Sequence, residues 1–98
     1  MADSSPMTEH TPAPALLVAD DHPMFRAAVL HVLHERVPQY RTLEAVSAAS
    51  LGAVLQEHPE VELVLLDLSM PGTRGFSALL HVRGEYPQLP VVVISSND

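Results

Sequence analysis

Three aspartates in this chain each follow an apolar segment, at the position where parallel sheets gather ligand-binding side chains. Asp20 and Asp21 follow the run Ala15–Ala19, and Asp67 closes the run that begins at Val61. Ligands of open α/β sheets bind in the crevice outside the carboxyl ends of the strands. If the two apolar strands are neighbours, three carboxylates converge there, and such a cluster indicates divalent-metal and phosphoryl chemistry.

The expected metal is magnesium, a hard cation that prefers oxygen ligands and is usually held by one or two carboxylates. Since Asp20 and Asp21 are adjacent, their side chains cannot both point the same way. One is expected to bind directly and the other through water or a neighbouring group. Asp67 has one oxygen for the metal and a second that could attack phosphorus. Crowded carboxylates repel one another, so a cation would relieve the repulsion.

Each of these residues also has an ordinary structural interpretation. An isolated pair such as Asp20-Asp21 is more often a strand-end turn or helix cap. An Asp before Pro-Gly, like Asp67, is commonly a turn former, and Ser95 after a strand is commonly a loop hydroxyl. Their joint occurrence at strand carboxyl ends is what favours a functional site.

Strand and helix patterns alternate from Ala15 onward. Strands are predicted at Ala15–Ala19 and over residues 41–46, 62–68 and 91–95. The order βαβαβαβ with right-handed crossovers predicts an α/β fold, with a parallel sheet covered by helices on both faces.

Three helices are predicted between these strands, each by an apolar stripe at helical spacing. The first begins near Pro23 and ends before Pro38, the second is capped by Ser47 and ends before Pro59, and the third reaches about Tyr86. The three stripes are Phe25, Val29, Val32 and Leu33; Leu51, Val54 and Leu55; and Phe76, Leu79 and Leu80.

Composition limits the protein class. The chain has 98 residues, a formal charge of −7, no cysteine and no lysine. One small domain is expected over residues 15–98, after a proline-containing tail at residues 1–14 that is predicted to be disordered. The negative charge argues against a nucleic-acid surface. No membrane span or secretion signal is recognisable, so a cytoplasmic protein is expected.

Three stretches resemble the receiver domain of bacterial two-component response regulators, particularly the LuxR/NarL type. They are Leu-Val-Ala-Asp-Asp-His-Pro at 17–23, Leu-Val-Leu-Leu-Asp-Leu-Ser-Met-Pro-Gly at 63–72 and Val-Val-Val-Ile-Ser at 91–95. The Asp-Asp-His-Pro and Asp-Leu-x-Met-Pro-Gly forms favour that subfamily. The resemblance extends from Ala15 to Asp98. It implies a flavodoxin-like fold with strand order 2-1-3-4-5, in which the first and third strands are adjacent.

The resemblance also implies a role for each site residue. Asp67 would accept a phosphoryl group from a phosphohistidine of a sensor histidine kinase. Asp20, Asp21, Asp67 and the backbone carbonyl of Ser69 would hold Mg²⁺, and Ser95 would be the hydroxyl that moves to the phosphoryl group. Such a domain is a signalling receiver that phosphorylates and dephosphorylates itself, and it is not an enzyme acting on a separate substrate.

The chain departs from the family pattern at its end. Receivers continue through a fourth helix, a fifth strand that ends in a lysine, and a fifth helix, and LuxR-type regulators add a helix-turn-helix domain. This sequence stops at Asp98, so an incomplete receiver with impaired phosphorylation is expected, and DNA would be bound only through the absent domain. An uncovered sheet edge and face predict a homodimer or an oligomer that exchanges elements.

Two other functions fit part of the sequence pattern. A haloacid-dehalogenase-type hydrolase also places a nucleophilic Asp after a strand, but it needs a second Asp two positions later, where this chain has Ser69. A receiver-like interaction module that works without phosphorylation stays open as the alternative. His31 and His34 are spaced like a metal pair, although a solvated helix face explains them better. His22 is given no chemical role.

Overall fold

The computed structural model of the protein describes residues 13–68, 70 and 77–94. Within them strands and helices alternate as predicted: β1 Ala15–Ala19, α1 Pro23–Arg36, β2 Arg41–Ala45, α2 Ala48–Glu57, β3 Val61–Asp67, α3 Ser77–Glu85 and β4 Val91–Ile94. Of the tail predicted at 1–14, residues 1–12 lie outside the described part. None of the helices described combines the length and apolar character that a bilayer crossing requires.

The four strands form one parallel sheet in the order β2-β1-β3-β4. This confirms the predicted order, with β1 between β2 and β3. In the register of the sheet, Ala19 pairs with Ala45 on one side and with Leu66 on the other. The carboxyl ends of β1 and β3 therefore lie side by side.

Every residue of β1 is buried, and its alternating side chains serve both faces of the sheet. Leu17 and Ala19 belong to the main apolar core together with residues of α2 and α3. Leu16 and Val18 are also buried but lie outside that core cluster, on the opposite face. Right-handed crossovers put α1 on this second face, because the chain moves from β1 to β2 in one direction and from β2 to β3 in the other.

Helix α1 covers its face of the sheet loosely. None of its residues is buried, although a stripe of Phe25, Val29, Val32 and Leu33 was predicted to pack inward. Val32 was predicted wrongly, since it is 53% exposed. Among the described elements no second helix flanks α1 on this face, so the edges of its apolar stripe stay in contact with solvent.

Helix α2 follows the sequence prediction closely. Ser47 is the N-cap residue, and its hydroxyl accepts a hydrogen bond from the backbone N–H of Ser50 at 3.1 Å. The Ser50 hydroxyl accepts in return from the backbone N–H of Ser47 at 3.0 Å, which completes a capping box. Leu51 and Leu55 are buried, as the stripe predicted.

Helix α3 packs through a different face from the predicted one. Leu80 was predicted to face the core but is 68% exposed, whereas Ala78 and Val82 are buried. These two residues are four apart and share one side of the helix. Phe76, where the predicted stripe began, lies outside the described residues.

Candidate functional site

The adjacent ends of β1 and β3 bring the predicted acids together. Asp20, Asp21, His22 and Asp67 each offer one ligand atom, and these atoms all lie within 4.8 Å of one another. The convergence of three carboxylates is therefore confirmed. It follows from strand order, because α1, β2 and α2 separate β1 from β3 in the sequence, yet the two strands are hydrogen-bonded neighbours in the sheet.

Two of the three carboxylates are removed from solvent. Asp20 is 0% exposed and Asp67 is 1% exposed, and they are the buried charged residues of the described chain. The side chain of Asp21 is partly exposed. Oδ2 of Asp20 is buried and receives no hydrogen bond from any described residue. A buried carboxylate oxygen without a donor is costly, and a hard cation is the ligand that would satisfy it. The donor set thus fits a magnesium ion.

His22 lies against all three acids, which sequence reasoning missed. Its Nδ1 lies 3.0 Å from Oδ1 of Asp20, 3.2 Å from Oδ1 of Asp21 and 3.4 Å from Oδ2 of Asp67. The hydrogen bond to Asp20 is the main cause that raises the pKa of His22; the charges of the three acids raise it further, while desolvation opposes them. The sequence feature that could have indicated this contact is the position of His22, directly after Asp21 at the end of β1.

The backbone around the acids is held by the sheet and the core. The N–H of Asp20 donates to the carbonyl of Ala45 at 2.9 Å, which extends the β1–β2 ladder by one residue. After β3, the N–H of Met70 donates to the carbonyl of Asp67 at 3.4 Å. The Met70 side chain is buried in the main core. The main chain of Asp67 is thus held on one side by β3 and on the other by the turn that ends at the buried Met70.

Two predicted site residues cannot be compared with the structure. Ser69, the expected carbonyl ligand, and Ser95, the expected mobile hydroxyl, both lie outside the described residues. The strand register pairs Asp67 with Ile94, the residue that precedes Ser95 in the sequence. The roles of Ser69 and Ser95 stay predictions.

The other histidines of the described residues form no part of the acid cluster. His31 and His34 are exposed on α1, and Nε2 of His34 lies 3.1 Å from the hydroxyl of Thr42. This agrees with the solvated helix face preferred from the sequence. An apolar cavity of about 480 Å³, lined by residues that include Leu55, Val61, Tyr86 and Leu89, lies at the amino end of β3. It is therefore at the opposite end of that strand from Asp67.

Comparison with known proteins identifies the family. The family model described as the response regulator receiver domain matches residues 16–98. The glycerol metabolism activator of Pseudomonas putida is 38% identical over 81 residues, which cover 83% of this chain and 37% of that protein. The nitrate/nitrite response regulator protein NarL of Escherichia coli strain K12 is 35% identical over 89 residues, covering 91% of this chain and 40% of NarL. The chain thus spans about two fifths of the length of these relatives.

Solved structures show the same fold. A response regulator receiver protein from Pseudomonas putida superposes with a TM-score of 0.75 at 26% identity, over 90% of this chain and 73% of that one. The MaeR response regulator bound to beryllium trifluoride gives a TM-score of 0.77 at 20% identity, over 87% of this chain and 69% of MaeR, and this likeness concerns the fold alone. Sheet order, the acid cluster and the family match agree, and the chain belongs to the response regulator receiver family.

Proposed function

We propose that this receiver domain accepts a phosphoryl group on Asp67. The observation that carries the proposal is the convergence of Asp67 with Asp20 and Asp21 at adjacent strand ends. Burial of Asp67 favours the transfer, because a nucleophile and the charges around it interact more strongly in a site that excludes water. Family membership supports the same assignment.

The transfer would begin with a phosphohistidine on the partner protein. A carboxylate oxygen of Asp67 attacks phosphorus, so that an O–P bond forms while the N–P bond of the phosphohistidine breaks. The electron pair of the broken bond stays on the leaving imidazole nitrogen. Because a phosphoryl group passes through a transition state with dispersed negative charge, positioning and charge neutralisation supply most of the acceleration. Ser95 would contact the transferred group afterwards.

Asp20, Asp21, Asp67 and the carbonyl of Ser69 would hold Mg²⁺ at this site. When bound, the ion would neutralise charge on the phosphoryl oxygens. The buried Oδ2 of Asp20 supports this assignment, since it has no donor among the described residues. His22 contacts the same carboxylates and carries part of the compensating positive charge whenever its ring is protonated.

The partners we propose are a sensor histidine kinase as phosphoryl donor and DNA as the target of the whole protein. DNA would be bound through a helix-turn-helix output domain outside these residues, and phosphorylation would control transcription. Support comes from two relatives, named a glycerol metabolism activator and a nitrate/nitrite response regulator. The net charge of −7 also agrees with a domain that does not itself bind DNA.

The test is phosphorylation of the chain by acetyl phosphate with Mg²⁺, measured by intact-protein mass spectrometry. Wild-type protein is expected to gain one phosphoryl group at less than full occupancy, since the chain has no lysine to contact that group. Asp67→Asn should abolish the gain. Glu62→Gln, which neutralises an exposed acid on the same strand, is the matched control and should label normally. Labelling that survives Asp67→Asn would remove the acceptor assignment.

A second candidate is self-association through the outer edge of β4 and the loosely covered α1 face of the sheet. Val92 and Val93 of β4 are 47% and 45% exposed, and α1 has no buried residue. In the described part of the chain the outer edge of β4 has no partner strand, and such an edge can pair with another chain. Multi-angle light scattering should therefore detect dimers or larger species at micromolar concentration. A monodisperse monomer would contradict this. An interaction module independent of phosphorylation would also bind no Mg²⁺ in calorimetry.

A further inference from the structure

We propose that Arg26 is a positioning residue for the acid cluster, and that Glu44 holds Arg26 in its working orientation. The inference rests on the proposed function, since it concerns how the Mg²⁺ ligand Asp20 is fixed. It adds two residues to the site that neither the acid motif nor the family match assigns.

Strand register fixes the position of Glu44. In the β1–β2 pair, Val18 is opposite Glu44, and Ala19 is opposite Ala45. Side chains opposite each other in a sheet point to the same face. Val18 lies on the face away from the α2–α3 core, so the Glu44 carboxylate lies on the α1 side, close to the carboxyl end of β2.

Arg26 reaches this carboxylate from the first turn of α1. Its Nε donates to Oε1 of Glu44 at 2.7 Å, and its Nη1 donates to the backbone carbonyl of Asp20 at 2.8 Å. The Arg26 side chain is 17% exposed, while that of Glu44 is 50% exposed. One guanidinium thus joins α1, β2 and the residue that follows β1.

These contacts hold the peptide units on both sides of Asp20. Its N–H donates to the carbonyl of Ala45, and its carbonyl accepts from Arg26. With both groups engaged, the rotation of the Asp20 main chain is restricted, and the direction in which its buried carboxylate points is restricted with it. Groups that orient metal ligands in this way typically change metal affinity by a factor of about 10 to 100 when they are removed.

A simple surface ion pair would be the competing explanation for Arg26 and Glu44. Such pairs contribute little, since solvent screens them and side-chain entropy opposes them. What distinguishes this pair is the second hydrogen bond, which goes to the main chain of a proposed metal ligand. A guanidinium can make both bonds at once with fixed geometry, whereas a lysine ammonium is a single compact donor group on a flexible stem.

The experiment is calorimetric titration of the 98-residue chain with Mg²⁺, repeated for Arg26→Gln, Arg26→Lys and Glu44→Gln. Arg26→Gln is expected to weaken Mg²⁺ binding about tenfold. Arg26→Lys should weaken it nearly as much, because positive charge alone does not restore the geometry. Glu44→Gln should weaken it less, since the Gln carbonyl oxygen can still accept from Nε. Arg36→Gln, at the exposed far end of α1, is the matched control and should leave binding unchanged.

Thermal unfolding with EDTA separates positioning from folding. A positioning role predicts weaker Mg²⁺ binding in Arg26→Lys while its unfolding temperature without metal stays near that of wild type. Equal Mg²⁺ affinity in wild type, Arg26→Gln and Arg26→Lys would overturn the role of Arg26, even if phosphorylation of Asp67 persists. Full rescue of affinity by Arg26→Lys would also overturn it. Absence of Mg²⁺ binding by wild-type protein would instead overturn the proposed function on which the inference rests.

Discussion

Asp20 and Asp67 are unusual among the acidic side chains of the described chain because both are buried, one beside the other. Burial penalises the charged form of a carboxyl group, and a neighbouring negative charge adds to the penalty. One imidazole ring, that of His22, is shared among these two acids and Asp21. The metal-free site is therefore expected to cost the fold some stability, which is a common property of functional sites.

Replacing Asp20 with Asn should reveal that cost. Without metal, Asp20→Asn is expected to raise the free energy of unfolding by about 1 kcal/mol, because one buried charge is removed from the cluster. Urea unfolding in EDTA measures this change. With Mg²⁺ in large excess, wild type should instead have the higher free energy of unfolding, since ligand binding stabilises only the protein that retains the site. Glu62→Gln serves as the control. If Asp20→Asn is less stable than wild type in EDTA, repulsion among the buried carboxylates does not destabilise the metal-free fold.

The site was more predictable from sequence than the helix packing was, and particular residues show why. Asp20, Asp21 and Asp67 could be assigned to strand ends from local patterns, and the sheet order then brought them together. The Ser47 cap is equally local. Leu80 and Val32 were predicted on the wrong side of their helices, because the buried side of a helix depends on what packs against it from distant sequence. His22 and Arg26 were missed because their contacts depend on side-chain directions that strand and helix patterns do not encode.

At the scale of elements, α3 gives a direct test of which side of a helix carries the packing. Val82→Ala should lower the free energy of unfolding by about 2 kcal/mol, since a fully buried side chain loses two methyl groups. Leu80→Ala should change it by less than about 0.5 kcal/mol, although a larger side chain is removed, because that side chain is exposed. Chemical denaturation of both variants gives the comparison. The prediction is wrong if Leu80→Ala proves the more damaging change.

The amino ends of β2 and β3 are joined by Glu60, which gives the fold a pH-dependent contact. The hydrogen bond from His58 at 2.9 Å is the main cause that lowers the pKa of Glu60 below its ordinary value of 4.5. Its own backbone N–H and the side chain of Arg41 lower the pKa further, while desolvation raises it. A carboxyl group with a lowered pKa in the folded state stabilises the fold above its unfolded pKa.

This stabilisation should disappear as the pH falls through the lowered pKa of Glu60 in the folded protein. Wild type should therefore be more stable than Glu60→Gln at neutral pH, and the difference should shrink below the ordinary glutamate pKa of 4.5. Unfolding curves for both proteins across this acidic range supply the measurement. Glu57→Gln, an exposed acid at the end of α2, controls for general charge effects. A difference independent of pH would show that Glu60 acts by packing.

For the molecule as a whole, the two faces of the sheet are unequally covered. The α2–α3 face contains the main core, whereas α1 contributes no buried residue to the other face. Regions with few buried apolar contacts open at lower free energy than the core. Amide hydrogen exchange should therefore be faster along α1 than along α2, even though α1 has 14 residues and α2 has 10. Exchange followed by NMR measures this, and slower exchange along α1 would contradict the unequal packing or indicate that a second copy covers that face.

Strand β1 has a consequence for how this sequence tolerates change. All five of its residues are buried between two neighbouring strands and two helical layers, and the strand leads directly into Asp20. No position in it offers a side chain to solvent, where most substitutions would be neutral. When random variants are selected for folding, substitutions should therefore be depleted at every position of Ala15–Ala19. A strand with one solvent-exposed face would instead tolerate substitutions at alternate positions. Among the described strands, the one that leads into Asp20 is thus also the one with the least freedom to vary.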